Sequence, residues 1–306
     1  MTQEQTTAAA RPSGPCLVLG GKTGMLGQAL MDALAKAGHP AVAQGRDDVA
    51  LTSREALAAY LETVNPGVVF NAVAYTQVDK AEDEPDEAAR LNKTLPENLA
   101  HLSASMGFKL IHFSTDFVFD GKGQEPYEVD APTGPVSVYG RTKLAGEKAI
   151  RSVNPPGWTI CRTAWLFGPG RKNFITTILN LCRSRDTLNV VDDQIGSPTC
   201  TVDLALHAVQ LLDADASGLF HVVNVGEASW CELATEAVRL TGLPCKVSPI
   251  PTSGYPTKAA RPAWSVLSTA AFTAATGVTP RPWAKALRDY IFKDLQDFLE
   301  PQANRG

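Results

Sequence analysis

Through most of the first half of the chain, short apolar runs alternate with longer stretches in which apolar residues recur every three or four positions. That alternation predicts strands each followed by an amphipathic helix, the pattern of βαβ units and a parallel sheet. The expected strands are Cys16–Leu19, Ala41–Gln44, Val68–Asn71, Lys109–Phe113 and Trp158–Arg162. Helices are expected near Gly24–Ala37, Ser53–Thr63, Asp86–Ser105 and Val138–Ser152. Pro66-Gly67, Met106-Gly107 and Pro155-Pro156-Gly157 punctuate the joins.

The second half is less regular, with Pro, Gly and Ser clustered at Gly168–Gly170, Gly196–Pro198 and Pro249–Pro262. Gly218–Val225 reads as a late strand returning to the main sheet. The expected fold class is α/β: a Rossmann-like doubly wound parallel sheet over residues 16–167, with a smaller interleaved carboxyl-terminal substrate lobe over 168–306. A substrate crevice beyond the carboxyl ends of the parallel strands follows from that layout. Residues 1–15 are polar and Ala/Thr/Gln-rich with no apolar core, which reads as a disordered extension and not a secretory signal.

Composition narrows the function classes. A 306-residue chain can bury a full core, and its hydrophobic and charged fractions are ordinary for a soluble protein. No apolar run approaches membrane-spanning length, and a net charge of -4 leaves no basic footprint for nucleic acid. The six cysteines are scattered, without CxxC or zinc-like histidine spacing, so reduced buried thiols in a cytoplasmic protein are expected and no metal site is.

Two motifs carry the candidate chemistry. Gly21-Lys22-Thr23-Gly24-Met25-Leu26-Gly27 follows the first strand and opens the first helix. Glycines there let the backbone approach a pyrophosphate, and the helix amino terminus supplies free N–H donors. After the second strand, Arg46 favours the 2′-phosphate of NADPH, while Asp47 beside it keeps NADH open. The second motif is Ser114-Thr115-Asp116 at a strand end, followed 24 residues after Thr115 by Tyr139, with Lys143 one helical turn further on. A free tyrosine has a pKa of about 10, and a neighbouring ammonium group is expected to lower it. Thr115, or Ser114 beside it, can hydrogen-bond the same substrate oxygen. The pairing points to nicotinamide-dependent carbonyl or alcohol chemistry.

The glycine loop, the tyrosine-lysine pair and the strand-end hydroxyl resemble the extended short-chain dehydrogenase/reductase superfamily. Longer motifs narrow the resemblance: Asn71-Ala72-Val73-Ala74-Tyr75-Thr76, Val78-Asp79-Lys80-Ala81-Glu82, Ser114 to Gly121 (STDFVFDG), Tyr139 to Glu147 (YGRTKLAGE), Arg162-Thr163-Ala164-Trp165, Asn173-Phe174, Asp193 to Thr199 (DQIGSPT) and Arg261-Pro262. In this order they are similar to the dTDP-4-dehydrorhamnose reductase family, from about Cys16 to Phe298.

That resemblance implies hydride delivery from NAD(P)H to C4 of dTDP-4-dehydro-β-L-rhamnose. Tyr139 would be the general acid, Lys143 its electrostatic helper and ribose anchor, and Thr115 the donor to the ketone. Asp116, Phe117 and Trp165 would line the sugar pocket. Ala72, Ala74 and Tyr75 would run beside the cofactor. Asn92 is compatible with a place near the nicotinamide half, though a helix-surface position is the favoured reading, and Gln194 and Arg261 are open between nucleotide or pyrophosphate contact and an ordinary polar role at the surface. The acidic run Asp79, Glu82, Asp83 and Glu84 is expected to face solvent, and Trp230 and Trp283 are assigned to packing.

The chain also departs from the family pattern. Some members bridge a dimer with magnesium through a glutamate two residues beyond the third glycine; Ala29 stands there, which puts magnesium in doubt and leaves a homodimer open. Ala164, Phe117 and Phe167 replace hydroxyl-bearing residues, and Ala50 replaces an acidic one. Two other functions remain open: a nucleotide-sugar epimerase or dehydratase on the same fold, and a non-catalytic subunit like the methionine adenosyltransferase β subunit. Dehydratases typically carry glutamate where this chain has Phe117, and Trp165 speaks for a working sugar pocket.

Overall fold

The structure, a computed structural model, describes residues 14–299; apart from its last two residues, the extension expected over residues 1–15 lies outside them. The first strands fall where the apolar runs put them: β1 (Cys16–Leu19), β2 (Ala41–Gln44) and β3 (Val68–Asn71), with helices α1 (Met25–Lys36) and α2 (Arg54–Val64) between them. Ser53 caps α2 by accepting the Ala56 N–H. Short helices α3 (Val78–Ala81) and α4 (Pro85–Ala89) precede a π-helical turn, Arg90–Thr94, and α5 (Leu95–Met106). One continuous helix was expected over Asp86–Ser105. Pro96 has no N–H to offer the carbonyl four residues back, at Asn92, and the ladder widens there.

Strand β4 (Lys109–Thr115) runs two residues past the expected Phe113, because Ser114 and Thr115 remain in register with Arg162 and Thr163 of β5 (Thr159–Thr163). Between them lie a 3-10 turn at Asp116–Val118 and α6 (Val138–Val153), capped by Ser137. The chain then makes β6 (Leu166–Phe167), α7 (Phe174–Cys182), β7 (Thr187–Val191), β8 (Ile195–Gly196), β9 (Thr199–Cys200) and α8 (Thr201–Asp213). The return strand β10 (Gly218–His221) follows, shorter than the expected Gly218–Val225 but paired parallel to β5 as expected. Then come β11 (Ala228–Ser229), α9 (Trp230–Thr241), β12 (Lys246–Ile250), α10 (Ala270–Thr276) and α11 (Trp283–Asp294).

The main sheet has the order β10-β5-β4-β3-β1-β2, all parallel. Alternate strand residues feed two separate cores. Cys16, Val18, Phe70, Ile111 and Cys161 face α1 and α8, whereas Leu17, Leu19, Val69, Leu110 and Ile160 face α2, α5 and α6. A third core, built from α7, α9 and α11 with β7, closes the carboxyl-terminal lobe. All six cysteines are free and buried. Because the order of strand addition reverses between β1 and β3, the crevice of a doubly wound sheet opens at their carboxyl ends.

Candidate active site

Four loops meet at that crevice around a cavity of about 750 Å³. The first is the glycine loop. Gly24 donates its N–H to Gly20 O at 2.9 Å, and a side chain on Gly24 or Gly27 would overlap that same carbonyl. Gly24 is the N-cap of α1 and carries no side-chain cap, so the amino end of the helix opens on the cavity, which Gly24, Met25 and Leu26 line. Ala72, Val73 and Ala74, just past β3, form the facing wall. This cradle of backbone donors beside small side chains fits a dinucleotide pyrophosphate.

Other members of the expected cofactor set lie elsewhere. Gly21 and Gly27 are buried within the turn, while Lys22 and Thr23 are exposed. Lys22 reaches across the end of β2 to an ion pair of 2.8 Å with Asp48, which also accepts the Gly45 N–H. The Lys22 hydrogen bond and then that N–H hold the Asp48 carboxyl below its ordinary range. Arg46 is exposed in the same loop. The Tyr75 hydroxyl donates to Glu84 at 2.7 Å, and Tyr75 is not among the cavity-lining residues.

Thr115, Asp116, Phe117, Tyr139 and Lys143 all line the cavity. Thr115 ends β4; its hydroxyl donates to Asp116 Oδ1 at 3.0 Å and accepts the Phe117 N–H. Asp116 is 2% exposed, and burial raises its carboxyl to about 6. Tyr139 sits in the first turn of α6 with its ring edge-to-face to Phe117, centroids 5.6 Å apart. Burial pushes its phenol up to about 12, with the Thr115 hydroxyl acting against the rise. The expectation that Lys143 lowers this value does not hold here. The Lys143 ammonium-bearing end is turned to the Phe113 carbonyl, at 2.6 Å, and to His112 Nε2, at 3.3 Å.

Behind this wall, Ser114 and Arg162 converge on Glu147, one turn beyond Lys143. Ser114 Oγ donates to Glu147 Oε1, and the Arg162 guanidinium takes both carboxylate oxygens at 3.0 and 2.8 Å. Ser114 and Thr115 both line the cavity, and each directs its hydroxyl hydrogen to a carboxylate, Ser114 to Glu147 and Thr115 to Asp116.

The side of the cavity where a sugar was expected differs from the expectations in several places. Trp165 lines it at a positive φ of 47° and stacks flat on Trp230, with centroids 3.6 Å apart. Trp230, assigned to packing from sequence, also lines the cavity. Its position at the start of α9 gave no sign of this, since the contact joins residues far apart in the chain. Asn92 is fully buried, not on a helix surface: its side chain clasps the Tyr75 backbone N–H and O and bonds Thr142. The acidic run is engaged, not merely solvated. Asp79 pairs with Arg261, Glu82 accepts the Val138 N–H, Asp83 pairs with Lys258, and Glu84 holds Tyr75. Arg261 lines the cavity, whereas Gln194 is buried against Thr252. Arg171 and Lys172, unnoticed in the sequence, line the cavity mouth.

The family described as RmlD substrate binding domain matches residues 16–296. The chain belongs to this family. A relative named dTDP-4-dehydrorhamnose reductase, from Streptomyces griseus, is 40% identical over 282 residues, covering 90% of this chain and 92% of that protein. A dTDP-4-dehydrorhamnose reductase structure from Clostridium acetobutylicum superposes with a TM-score of 0.88 at 37% identity, covering 92% of this chain and 99% of that one. Another from Bacillus anthracis, in complex with NADP, gives a TM-score of 0.88 at 29% identity with the same coverages. The resemblance read from the ordered motifs therefore stands, and the RmlD-family fold is the doubly wound sheet described above.

Proposed function

We propose that the protein is an oxidoreductase that reduces the C4 ketone of dTDP-4-dehydro-β-L-rhamnose to dTDP-β-L-rhamnose with a nicotinamide cofactor. The observation that carries this reading is the convergence of Thr115, Tyr139 and Lys143 on the cavity that the uncapped end of α1 also faces. The naming of the Streptomyces griseus relative and the NADP held by the Bacillus anthracis relative support it.

Bound NADPH or NADH supplies the hydride. The backbone N–H groups at Met25 and Leu26, in the uncapped first turn of α1, would hold the pyrophosphate, and Ala72 and Ala74 would leave room along β3 for the rest of the cofactor. Thr115 would rotate its hydroxyl hydrogen from Asp116 to the ketone oxygen. Tyr139, kept protonated by its buried setting, gives its proton to the alkoxide as it forms. With the cofactor bound, Lys143 would anchor the ribose and supply positive charge to the resulting phenolate, a role its present contacts with Phe113 and His112 do not give it. Asp116, Phe117 and Trp165 shape the sugar site. NADPH is the favoured cofactor on the strength of Lys22 and Arg46 at the end of β2, and no step calls for magnesium.

The test is oxidation of NADPH and NADH with enzymatically generated dTDP-4-dehydrorhamnose, with product analysis, in the natural protein and in Tyr139→Phe. Turnover to dTDP-rhamnose that collapses in the variant supports the assignment. Cofactor binding without turnover overturns it and redirects the search to other nucleotide sugars.

A further inference from the structure

Lys143 sits at the end of a hydrogen-bond chain whose direction is set by the backbone. At its start, the Val73 N–H donates to Asn71 Oδ1 at 3.2 Å. A backbone N–H cannot reverse its role, so the Asn71 amide is fixed with its Nδ2 turned the other way, onto His112 Nδ1 at 3.0 Å. An amide nitrogen only donates, so His112 Nδ1 carries the lone pair. A neutral imidazole then carries its one hydrogen on Nε2. That nitrogen faces Lys143 Nζ at 3.3 Å.

An N–H pointed at an ammonium group is a contact between two donors. It becomes a hydrogen bond only when Nζ has a lone pair. Lys143 Nζ can donate to the Phe113 carbonyl, at 2.6 Å, whether it is charged or neutral. The contact with His112 is therefore the one that discriminates between its two forms. Asn71 and His112 are directly paired across β3 and β4, and both are almost completely buried, so water cannot relieve the arrangement.

We propose that His112 is a positioning residue for the reaction: locked by Asn71 as the Nε2–H tautomer, it favours the neutral amine of Lys143 and so sets the pH at which the lysine carries charge. The proposal rests on the reading of Tyr139 and Lys143 as the catalytic pair. The ionisable groups facing Lys143 are His112 from β4 and Glu147 from its own helix. The Glu147 charge is already taken up by Arg162 of β5, and Tyr139 opens on the same cavity. Burial of Lys143 acts in the same direction as His112, lowering it to about 8, against the pull of Glu147. His112 itself is held far below its ordinary range by burial and then by Lys143, which keeps it neutral. A lysine poised in this way can gain or lose its proton within a turnover near neutral pH, which a solvated lysine cannot.

Two measurements test this. The first is nitrogen-15 NMR of histidine-labelled protein without cofactor, with His112 assigned by its absence in His112→Phe. The expected spectrum shows an unprotonated Nδ1 and a protonated Nε2, unchanged through the range in which free histidines titrate. In Asn71→Asp, whose carboxylate accepts a hydrogen, the two signals exchange character. A protonated Nδ1 in the natural protein overturns the proposal.

The second measurement is the alkaline limb of kcat/KM for ketone reduction. His112→Phe keeps the ring and removes the opposing N–H without adding charge, and Asn71→Asp turns a lone pair toward Lys143. Both are expected to move the limb upward by about one pH unit, tenfold in kcat/KM above it. A limb that stays put in both variants overturns the proposal. The NMR readout does not depend on turnover, so a failed substrate assignment and a failed tautomer assignment give different results.

Discussion

Glu147 and Arg162 form an ion pair of 2.8 Å directly behind Thr115 and Lys143, with both side chains almost wholly buried. Ser114 completes it from β4, and the Arg162 guanidinium also reaches the Val129 carbonyl. Two elements that each carry a candidate site residue, β4 and α6, are thus tied to β5 through one carboxylate, and the guanidinium adds the loop before α6. Replacing Glu147 by Gln leaves a buried guanidinium without its counter-charge. The expected cost is on the order of 3–5 kcal/mol, seen as a marked drop in Tm. A variant with unchanged Tm would show that the pair does not hold the site together.

Tyr139→Phe removes a hydroxyl while keeping the ring packed against Phe117. Turnover is expected to fall by roughly a hundredfold to ten-thousandfold, the usual scale for a lost general acid. Cofactor affinity, measured by fluorescence quenching, should stay near the natural value. A variant that retains full activity would remove Tyr139 from the chemistry.

Asp116 provides a pH signature. Burial raises its folded-state pKa from the ordinary carboxylate value to about 6. Between those values the folded protein binds more protons than the unfolded chain, so this group's contribution to stability is largest at low pH. It is lost as pH rises through about 6. Asp116→Asn removes the dependence. Relative to the natural protein, the variant should gain stability between roughly pH 4 and pH 7, by on the order of 3 kcal/mol at the upper end. Denaturant melts at the two pH values check the sign.

The Lys22–Asp48 ion pair is expected to bear on cofactor choice. Asp48 competes with any phosphate brought to the end of β2, so Asp48→Asn should free Lys22 and raise the NADPH-to-NADH ratio of kcat/KM. Lys22→Ala should lower it. The pair is exposed, with Lys22 at 52%, so changes of only severalfold are expected, and they should shrink in high salt. Equal ratios in all three proteins would place the discrimination elsewhere.

Trp165 and Trp230 make a paired aromatic wall. Trp165 holds an unfavourable positive φ, and Gly196 leaves no room for a side chain beneath its indole. Trp230→Ala should raise the KM for the nucleotide sugar roughly tenfold by loosening that wall, with the KM for the cofactor unchanged. A rise in both constants would point to general loosening of the lobe instead.

Much of the doubly wound sheet was legible in the chain. Each early strand is a short apolar run that must be buried on both faces, and each following helix shows a single apolar stripe. The boundaries of β1, β2 and β3 follow directly from this local pattern. So do the glycine loop and the Tyr139–Lys143 spacing, because both depend on residues within a turn or two of each other. The broken helix at Arg90–Thr94 was legible in principle, since Pro96 cannot donate to Asn92. Its use was not, because the bonds from Asn92 to Tyr75 and Thr142 span 17 and 50 residues.

By itself, then, the sequence determined the order of strands and helices, the family, and the residue types available for proton and cofactor chemistry. Tertiary structure decided which of those groups meet. It turned Lys143 toward His112, engaged Ser114 with Glu147, and paired Trp165 with Trp230. It also bound the acidic run after β3 to Arg261, Lys258 and the start of α6. The reason is that periodicity and capping are local consequences of backbone geometry, readable within a few residues. The partner of a buried polar group is instead chosen by hydrogen-bond direction and charge among atoms that only the closed fold brings within 3 Å or so of one another.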